Sequence, residues 1–362
     1  MVITQQPIDG AIYFQKSVPD IILTKNAGLT SATFKLKVGG VSVLLETYLY
    51  DVNDKIYIRN IFEVCEKYLN SDNLIQLFTY DLTDAGGTVS YSFTALKCDA
   101  DMTVDANTWT AQNFLTRTYR EKRTSKSRNE YLSFLQKHSY GTLTVHFRVV
   151  YYSVDHWTEA TGTLATIASA ATTKITTFNA SMGALVTAAG LATDTEIIQY
   201  DIWITGTGVE TARYTFLPDF NQYRNLKHFV FVNCFGVLET FTATGRTDAK
   251  KTAELNMGNI DNRYRKITQD FVNEKTVNSG FLSAEEMEWI DDLILSFAIY
   301  TYTPGITGSD EEITITNFEK TDTDANELQS FSFNYRRSKN NHLQFMIAAR
   351  GIFDDTFDDT FN

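Results

Sequence analysis

The chain is poor in proline and cysteine and contains no long apolar run. Its three cysteines (Cys65, Cys98 and Cys234) are far apart, so they indicate neither a disulfide framework nor a CxxC metal pair, and they fit buried thiols in a reducing compartment. No run approaches the roughly 18 apolar residues that a membrane span requires. The first ten residues lack the basic and apolar regions of a signal peptide. These absences predict no membrane span and folding in a cytoplasm.

Signatures of catalysis are also missing. The chain has no HExxH, GxSxG or P-loop, and its five histidines have no cysteine partner at zinc spacing. Residues 51–54 lack the glycine and distal glutamate of a calcium loop. Carboxylates crowd residues 285–292, where the dipole of a helix N-terminus favours them, and we interpret them as facing away from the apolar stripe. We therefore predict that the protein is not an enzyme and binds neither cofactor nor metal.

Charge and composition favour a β-rich protein, and specific binding of nucleic acid is not expected. The balance of 32 basic and 44 acidic residues gives a net charge of −12, which repels a phosphate backbone. Aromatic residues reach 13% and threonine is abundant, and both residue types favour pleated, half-buried surfaces. A length of 362 residues is too great for one ordinary core and predicts two domains.

Strand-like alternation dominates the chain, so the predicted fold is all-β dominated, with β-sandwich-like domains and two short amphipathic helices. The helices are expected at residues 61–69 and 284–297, each opened by a capping box with Asn60 or Ser283 as the N-cap. The predicted organisation is a β-rich domain over residues 1–157, a Thr/Ala-rich connection or insertion over 158–195, a second β-rich domain over 196–350, and an acidic, aromatic docking tail over 351–362.

Residues 225–246 predict a hairpin that turns at Phe235-Gly236, because glycine accepts the positive φ of a tight turn. We place this hairpin at the centre of the second domain's sheet, flanked by a hairpin over residues 197–217 and backed by the helix over residues 284–297. Gly236 is expected to tolerate the least change, and Cys234 is expected to be a small buried apolar residue.

Two charged segments are candidate interaction sites. Residues 117–128 carry six cations and one glutamate, which indicates either a solvated loop or a contact with an acidic partner. The C-terminal tail alternates phenylalanines with aspartate pairs, a pattern suited to docking in a neighbour's groove. The predicted interface comprises the tail residues Phe353, Asp354, Asp355, Phe357, Asp358, Asp359 and Phe361, and the cations Arg117, Arg120, Lys122 and Arg123.

The C-terminal half contains, in order, FVFVNCFGVLETFTATG, Asn262-Arg263-Tyr264-Arg265, SGFLSAEEMEWIDDLILS and FSFNYRRSKNNH. Its helix carries Trp289 and ends in Leu293-Ile294-Leu295-Ser296. These motifs resemble uncharacterised structural tail proteins of bacteriophages and prophages, and ATFKLKVGGVSVLLETYLYDVNDKIYIRNIFEVCEKYL is similar to the same group. The resemblance covers about two thirds of the chain. It implies a virion component built as an oligomer and transfers no catalytic residue.

We therefore predict a structural component of a bacteriophage tail, baseplate or connector, located in the virion and made in the host bacterial cytoplasm. Its expected partners are copies of itself, in a ring-like oligomer, and other tail proteins. The first alternative is a carbohydrate-binding or adhesin-like module, which requires an exposed aromatic cluster. The second is a glycan hydrolase with paired carboxylates in a cleft.

Overall fold

A computed structural model describes residues 1–118, 120–221, 223–224, 226–260, 263–306, 310–320 and 329–338; the side chains of residues 253–272 are outside this description. Most of the described chain is β-strand, which confirms the predicted all-β dominated class. The chain forms two compact units. Unit 1 comprises Met1–Gln222, Val230–Phe241 and Glu288–Phe297, and unit 2 comprises Tyr223–Phe229, Thr242–Met287 and the described residues from Ala298 onward. This division differs from the predicted boundaries at residues 157 and 196.

The strands of the first 222 residues all belong to unit 1. In chain order they are β1 (Val2–Gln5), β2 (Ala11–Phe14), β3 (Ile21–Thr24), β4 (Ser31–Val38), β5 (Val41–Leu49), β6 (Lys55–Ile58), β7 (Ile75–Asp84), β8 (Gly87–Leu96), β9 (Glu121–Thr124), β10 (Tyr131–Gln136), β11 (Leu143–Ser153), β12 (His156–Ile167), β13 (Lys174–Asn179), β14 (Ile197–Gly206), β15 (Val209–Glu210) and β16 (Tyr214–Pro218).

The later strands form one seven-stranded sheet in the order β18-β17-β21-β22-β23-β20-β19. Its members are β17 (Lys227–Val232), β18 (Leu238–Ala243), β19 (Thr247–Ile260), β20 (Arg263–Asn278), β21 (Ile299–Tyr302), β22 (Glu311–Glu319) and β23 (Ser332–Arg337). The boundary between the units passes through β17 and β18. The described helices are α1 (Ile61–Glu66), α2 (Ala106–Gln112), α3 (Met182–Ala189), α4 (Ala284–Trp289) and α5 (Asp291–Ile294).

The five-stranded sheet of unit 1 has the order β2-β8-β7-β4-β5 and contains both predicted N-terminal hairpins. The β4–β5 hairpin turns at Gly39-Gly40, where both residues have positive φ. The β7–β8 hairpin turns at Ala85-Gly86, and Gly87, which pairs with Asp84, also has positive φ. One face of the sheet packs into the core, because alternate residues of β4 and β7 such as Phe34 and Phe78 are fully buried.

A six-stranded sheet, also in unit 1, has the order β12-β11-β14-β16-β9, with β15 paired to β14. Residues 158–195 are part of unit 1 and do not connect two domains. They supply most of β12, which pairs along all of β11, then β13, which pairs with β10, and helix α3. Met182, Leu185 and Val186 of α3 are buried in the core. Strand β12 lies at the edge of the six-stranded sheet.

The predicted hairpin within residues 225–246 is present as β17 and β18. Its turn is closed by hydrogen bonds from Asn233 N to Val237 O (2.9 Å) and from Gly236 N to Asn233 O (2.9 Å). Gly236 has a φ of +80°, and a Cβ there would collide with the side chain of Leu74. Cys234 is buried, as predicted.

The neighbours of this hairpin differ from the prediction. Strand β18 lies at the edge of its sheet, and the hairpin over residues 197–217 belongs to the six-stranded sheet, because β14 pairs with β11 and β16. The predicted helix does pack on the hairpin within unit 1. The ring of Trp289 lies 5.9 Å from that of Phe231 and 6.0 Å from that of Phe241.

The helices agree only partly with their predicted starts and lengths. At α4 the capping box is confirmed, since Ser283 N donates to Glu286 Oε2 (2.9 Å) and Glu286 N donates to Ser283 Oγ (3.2 Å). At α1 the predicted capping box was wrong, because Asn60 has a φ of +58° and its side chain makes no cap hydrogen bond. The sequence did not predict α2 or α3. Within the described residues, no helix is both long and apolar enough to cross a membrane.

Strands β19 and β20 form a hairpin far longer than predicted. The sequence predicts one strand over residues 266–274 or beyond, whereas the 14 residues of β19 pair with 14 of the 16 residues of β20. Only Lys275–Asn278 of β20 also pair with β23. Most of this two-stranded ribbon is therefore paired only with itself in the described chain.

Candidate functional site

The basic segment over residues 117–128 is the first candidate site. Strand β9 alternates exposed and buried residues, which turns Lys122 inward and leaves Arg123 outside. Lys122 Nζ lies 2.9 Å from Glu130 Oε2, and Arg128 Nε lies 2.9 Å from Glu130 Oε1. All three side chains are buried. We call this the Glu130 cluster.

Hydroxyl and carbonyl groups complete the Glu130 cluster. Thr124 Oγ1 donates to Glu130 Oε1 (2.9 Å) and Thr240 Oγ1 donates to Glu130 Oε2 (2.7 Å). Arg128 donates to the carbonyl oxygens of Arg123 (2.7 Å) and Thr240 (2.9 Å). Burial by itself favours the neutral form of Glu130, but Arg128 and Lys122 outweigh it and hold the pKa of Glu130 below its usual range. The cluster ties β9 to β18 inside unit 1.

The predicted interface cations therefore have different environments. Lys122 is enclosed in the Glu130 cluster, so its assignment to an exposed contact was wrong. Arg117 is partly exposed and pairs with Asp292 through Nη1 and Oδ1 at 3.0 Å. Arg120 and Arg123 are exposed, and Arg120 Nη2 lies 3.5 Å from Asn113 Oδ1. The structure does not bring the four cations together as one patch. The seven tail residues lie outside the described part of the chain, so the docking of the tail stays a prediction.

A second buried carboxylate, Glu239, stabilises the turn between β17 and β18. Thr116 Oγ1 and Thr118 Oγ1 donate to its Oε1 at 2.7 and 3.0 Å, and Asn233 Nδ2 donates to its Oε2 at 3.0 Å. The other amide atom of Asn233, Oδ1, accepts from the backbone N of Phe235 at 3.0 Å. The hydrogen bonds of Glu130 and Glu239 account for both carboxylates as parts of the fold.

A small cavity of about 80 Å³ lies beside this turn and is lined in part by Arg117, Cys234 and Asp292. Asp292 is buried, which corrects the interpretation of the carboxylates at residues 285–292 as uniformly solvent-facing. Burial raises the pKa of Asp292, and Glu239 adds to this while Arg117 opposes it. Contact with Cys98 and burial raise the pKa of the Cys234 thiol, so it stays protonated at neutral pH. At about 80 Å³ the cavity is well below the roughly 300 Å³ of a small-molecule site.

The outer face of the six-stranded sheet carries an ordered set of aromatic and charged side chains. Here Arg148 of β11 lies between two carboxylates: its Nε donates to Glu159 Oε2 (3.0 Å) and its Nη1 donates to Asp201 Oδ2 (3.0 Å). Asp201 Oδ1 also accepts from Gln199 Nε2 (3.0 Å) and Thr215 Oγ1 (2.8 Å). This Arg148 cluster spans four strands and is open to solvent on the side of Glu159.

Aromatic side chains lie on both sides of the Arg148 cluster along β11. On one side, Trp203 stacks on His146 with ring centroids 5.3 Å apart, and the guanidinium carbon of Arg213 lies 4.6 Å from the Trp203 ring. His146 belongs to β11 and Arg213 directly precedes β16, so the two residues flank β14 on its two sides, and Trp203 is half-buried. On the other side, Tyr152 and Trp157 form an edge-on pair with centroids 5.1 Å apart and are 42% and 50% exposed. The Tyr152–Trp157 pair is thus the accessible aromatic group of this face.

The outer edge of the five-stranded sheet is strand β5, which has no further partner strand within the described residues. Leu45 is 62% exposed and Leu49 is 76% exposed. Their neighbours across β4 are Lys35 and Ser31, so both leucines lie on the sheet face opposite the buried Phe34. Strand alternation in the sequence indicates which residues of β5 share a face. Only the strand order shows that β5 lies at the edge of the sheet within the described residues.

A scan against protein-family models and a search of curated proteins find no match for this chain. Function is therefore argued below from the residues and their geometry.

Proposed function

We propose that this protein is a structural subunit of a bacteriophage tail, baseplate or connector, which assembles with copies of itself into a ring-like oligomer. The observation that carries self-association is the edge of β5, which has no partner strand on its outer side within the described residues and exposes Leu45 and Leu49. The resemblance of the C-terminal motifs to phage tail proteins supports the same class. Virion tail proteins are the expected neighbours.

An edge strand presents unpaired N–H and C=O groups that template pairing with another chain. Soluble monomers protect such edges with short strands, proline, or lysine on the edge. Strand β5 is nine residues long and contains no proline or lysine; its bulge lies at Val43, and its regular part, Leu44–Leu49, exposes two leucines. Burial of one leucine contributes about 1.5–3 kcal/mol. The edge is therefore suited to association.

Assembly is tested by the mass of the purified full-length chain over a range of concentrations, measured by light scattering. Leu45→Lys is expected to weaken assembly, because the ammonium group would have to be desolvated at the contact. Leu77→Lys is the matched control, since Leu77 is 53% exposed on the same face but lies on the central strand β7. A wild-type chain that stays monomeric at every concentration would refute the proposal.

The predicted docking of the tail is a separate contact in the same proposal. A chain truncated after Arg350 lacks Phe353, Phe357 and Phe361 together with the aspartate pairs between them. We expect this truncation to weaken assembly and to change its salt dependence, because exposed charge pairs are screened by salt. Normal assembly with unchanged salt sensitivity would remove the tail from the proposal and leave the β5 contact in place.

Glycan binding is the second candidate function, and the Tyr152–Trp157 pair favours it. Two accessible aromatic rings next to the Arg148 cluster combine a stacking surface with hydrogen-bonding groups of nearly balanced charge, which suits a neutral oligosaccharide. A glycan array with the wild-type chain and Trp157→Ala tests it. Phe220→Ala is the control, because Phe220 is a similarly exposed aromatic residue (53%) elsewhere in unit 1. Wild-type binding that Trp157→Ala leaves unchanged would refute this site.

A further inference from the structure

Strand β5 has a regular part and an irregular part. Leu44–Leu49 pair without interruption with residues 36 to 31 of β4, whereas the register shifts between Leu36 and Lys37, so that Val43 is an extra residue in β5. Such a bulge bends the strand and interrupts pairing. A partner strand is therefore expected to pair with the regular part, which is centred near residues 46 and 47.

The side chains of this regular part are self-complementary in one antiparallel register. If a two-fold axis passes through Thr47, then Leu45 lies opposite Leu49 of the second copy, and Glu46 lies opposite Tyr48 of the second copy. The exposed leucines then meet in two symmetrical pairs on one face. On the other face, Glu46 lies opposite Tyr48 of the second copy; each Tyr48 hydroxyl donates its one proton to Glu46 of its own chain, so this register sets two such hydrogen-bonded pairs side by side without an apolar residue opposite the carboxylate.

The competing register, with the axis at Leu45, is less favourable. It sets Leu45 against Leu45 of the second copy but places Glu46 opposite Leu44, which cannot donate a hydrogen bond. It also brings the bulge residue Val43 into the paired region opposite Thr47. Leu49, the more exposed leucine, then falls at the margin of the contact.

We infer that two copies of this chain pair antiparallel through β5 about a two-fold axis at Thr47, which joins their five-stranded sheets into one ten-stranded sheet. This inference rests on the proposed function, since it names the partner and the register of one assembly contact. A two-fold contact uses the same patch on both copies and closes at two. A ring therefore requires a second, distinct contact elsewhere, and an assembly in which every β5 edge is paired contains an even number of copies.

Cysteine cross-linking distinguishes the two registers of the β5 pair directly. In the inferred pair, Thr47→Cys places two thiols across the axis, with Cα atoms about 4.5–5.5 Å apart, which a disulfide can span. Thr33→Cys is the matched control, because Thr33 lies beside Thr47 on β4 and its hydroxyl is 3.0 Å away. Across the pair, two Thr33 positions are separated by three strand spacings, or roughly 14 Å. Leu45→Cys reports the competing register. The native cysteines are buried and do not compete.

The inference expects a covalent dimer from Thr47→Cys under mild oxidation, with little from Thr33→Cys or Leu45→Cys. It also expects Leu45→Lys and Leu49→Lys to raise the dimer dissociation constant by about tenfold or more, with Leu77→Lys unchanged. Cross-linking that is strongest for Leu45→Cys would overturn the register. Equal cross-linking of Thr47→Cys and Thr33→Cys would indicate random collision and overturn the contact.

Failure of the inference and failure of the proposed function give different results. The β5 contact is refuted if the wild-type chain forms oligomers whose mass Leu45→Lys and Leu49→Lys leave unchanged and if Thr47→Cys does not cross-link. Self-assembly then takes place through another surface, and the proposed function is kept. If the wild-type chain is monomeric at every concentration, both the β5 contact and the proposed function are refuted. Thr47→Ser, which keeps the hydroxyl, controls for damage to the strand and is expected to assemble like the wild type.

Discussion

The Glu130 cluster and the Arg148 cluster use the same chemistry in opposite environments. Both set cations against carboxylates within unit 1, with threonine hydroxyls as further donors. The Glu130 carboxylate is fully buried, whereas the Glu159 carboxylate of the Arg148 cluster is open to water. The comparison teaches that a charge pattern in the sequence does not reveal which charges the fold will enclose.

The two environments imply different energetic consequences when one member is lost. Removing one partner of a buried ion pair leaves an uncompensated charge in the interior. Removing a partner of an exposed pair lets water solvate the remaining group. The predictions below test this difference, in order of decreasing effect.

Glu130→Ala is expected to cost about 3–5 kcal/mol of unfolding free energy, because Lys122 and Arg128 would be left buried without their carboxylate. Urea unfolding followed by far-UV circular dichroism measures it. The matched control is Glu159→Ala, which removes a carboxylate from the exposed cluster. Equal losses in the two variants would contradict the comparison.

Acid is expected to destabilise the wild type partly through Glu130. Its pKa is lower in the folded state than the value of about 4.3 in the unfolded chain, so its stabilising contribution is complete above that value and is lost as the pH falls through the folded pKa. Glu130→Gln removes this titration. We therefore expect a shallower fall of unfolding free energy with decreasing pH below about 4.3 in this variant, measured by denaturant unfolding at several pH values. Identical slopes would count against the assigned protonation state.

Gly236→Ala is expected to cost about 1–3 kcal/mol, because the residue has positive φ and a Cβ would collide with Leu74. This turn also positions Asn233 for its hydrogen bond to the buried Glu239 carboxylate, so the variant tests a buried polar group like those of the Glu130 cluster. Gly208→Ala separates the two causes, since Gly208 also has positive φ but a Cβ there would have no described atom within 4 Å. Thermal unfolding of both variants should show the larger loss at Gly236.

Arg148→Met should have the smallest effect of this set. Its two carboxylate partners, Glu159 and Asp201, lose a donor, but water reaches the side of the cluster formed by Glu159. We expect the unfolding free energy to fall by clearly less than in Glu130→Ala, and the difference from wild type to shrink in high salt because exposed charges are screened. A loss as large as that of Glu130→Ala would show that the surface cluster also stabilises the core.

Local signals predicted part of the fold well. The hairpins β4–β5 and β7–β8 were recognisable because alternation on both strands surrounds glycine turns, so every signal lies within a short window. The capping box at Ser283 was recognisable for the same reason. Helix α2 also had a local signal, since Asp105 accepts from Thr108 N, but its interior lacks a clear apolar stripe.

The remainder depends on distant partners. Nothing near Lys122 in the sequence indicates burial, because the hydroxyl of Thr240 that lines its site is more than 100 residues away. Residues 158–195 lack apolar alternation, and their strands are fixed by pairing with β10 and β11. The free edge of β5 and the face carrying Arg148 likewise follow from strand order and register. Candidate surfaces therefore required the topology, even though their residues were visible in the sequence.

The contact between Phe235 and the N-terminal strands has a consequence for synthesis on the ribosome. The Phe235 ring stacks on Trp109 with centroids 5.3 Å apart and lies 6.0 Å from Phe14 of β2. These rings share a core cluster with Leu96 and Leu135. While the chain is being translated, this cluster stays incomplete until Phe235 has emerged, although the strands around it were made much earlier. Such long-range closure slows folding and exposes apolar surface in the nascent chain. The first 222 residues of unit 1 therefore cannot complete this core by themselves, although they are translated as one continuous segment.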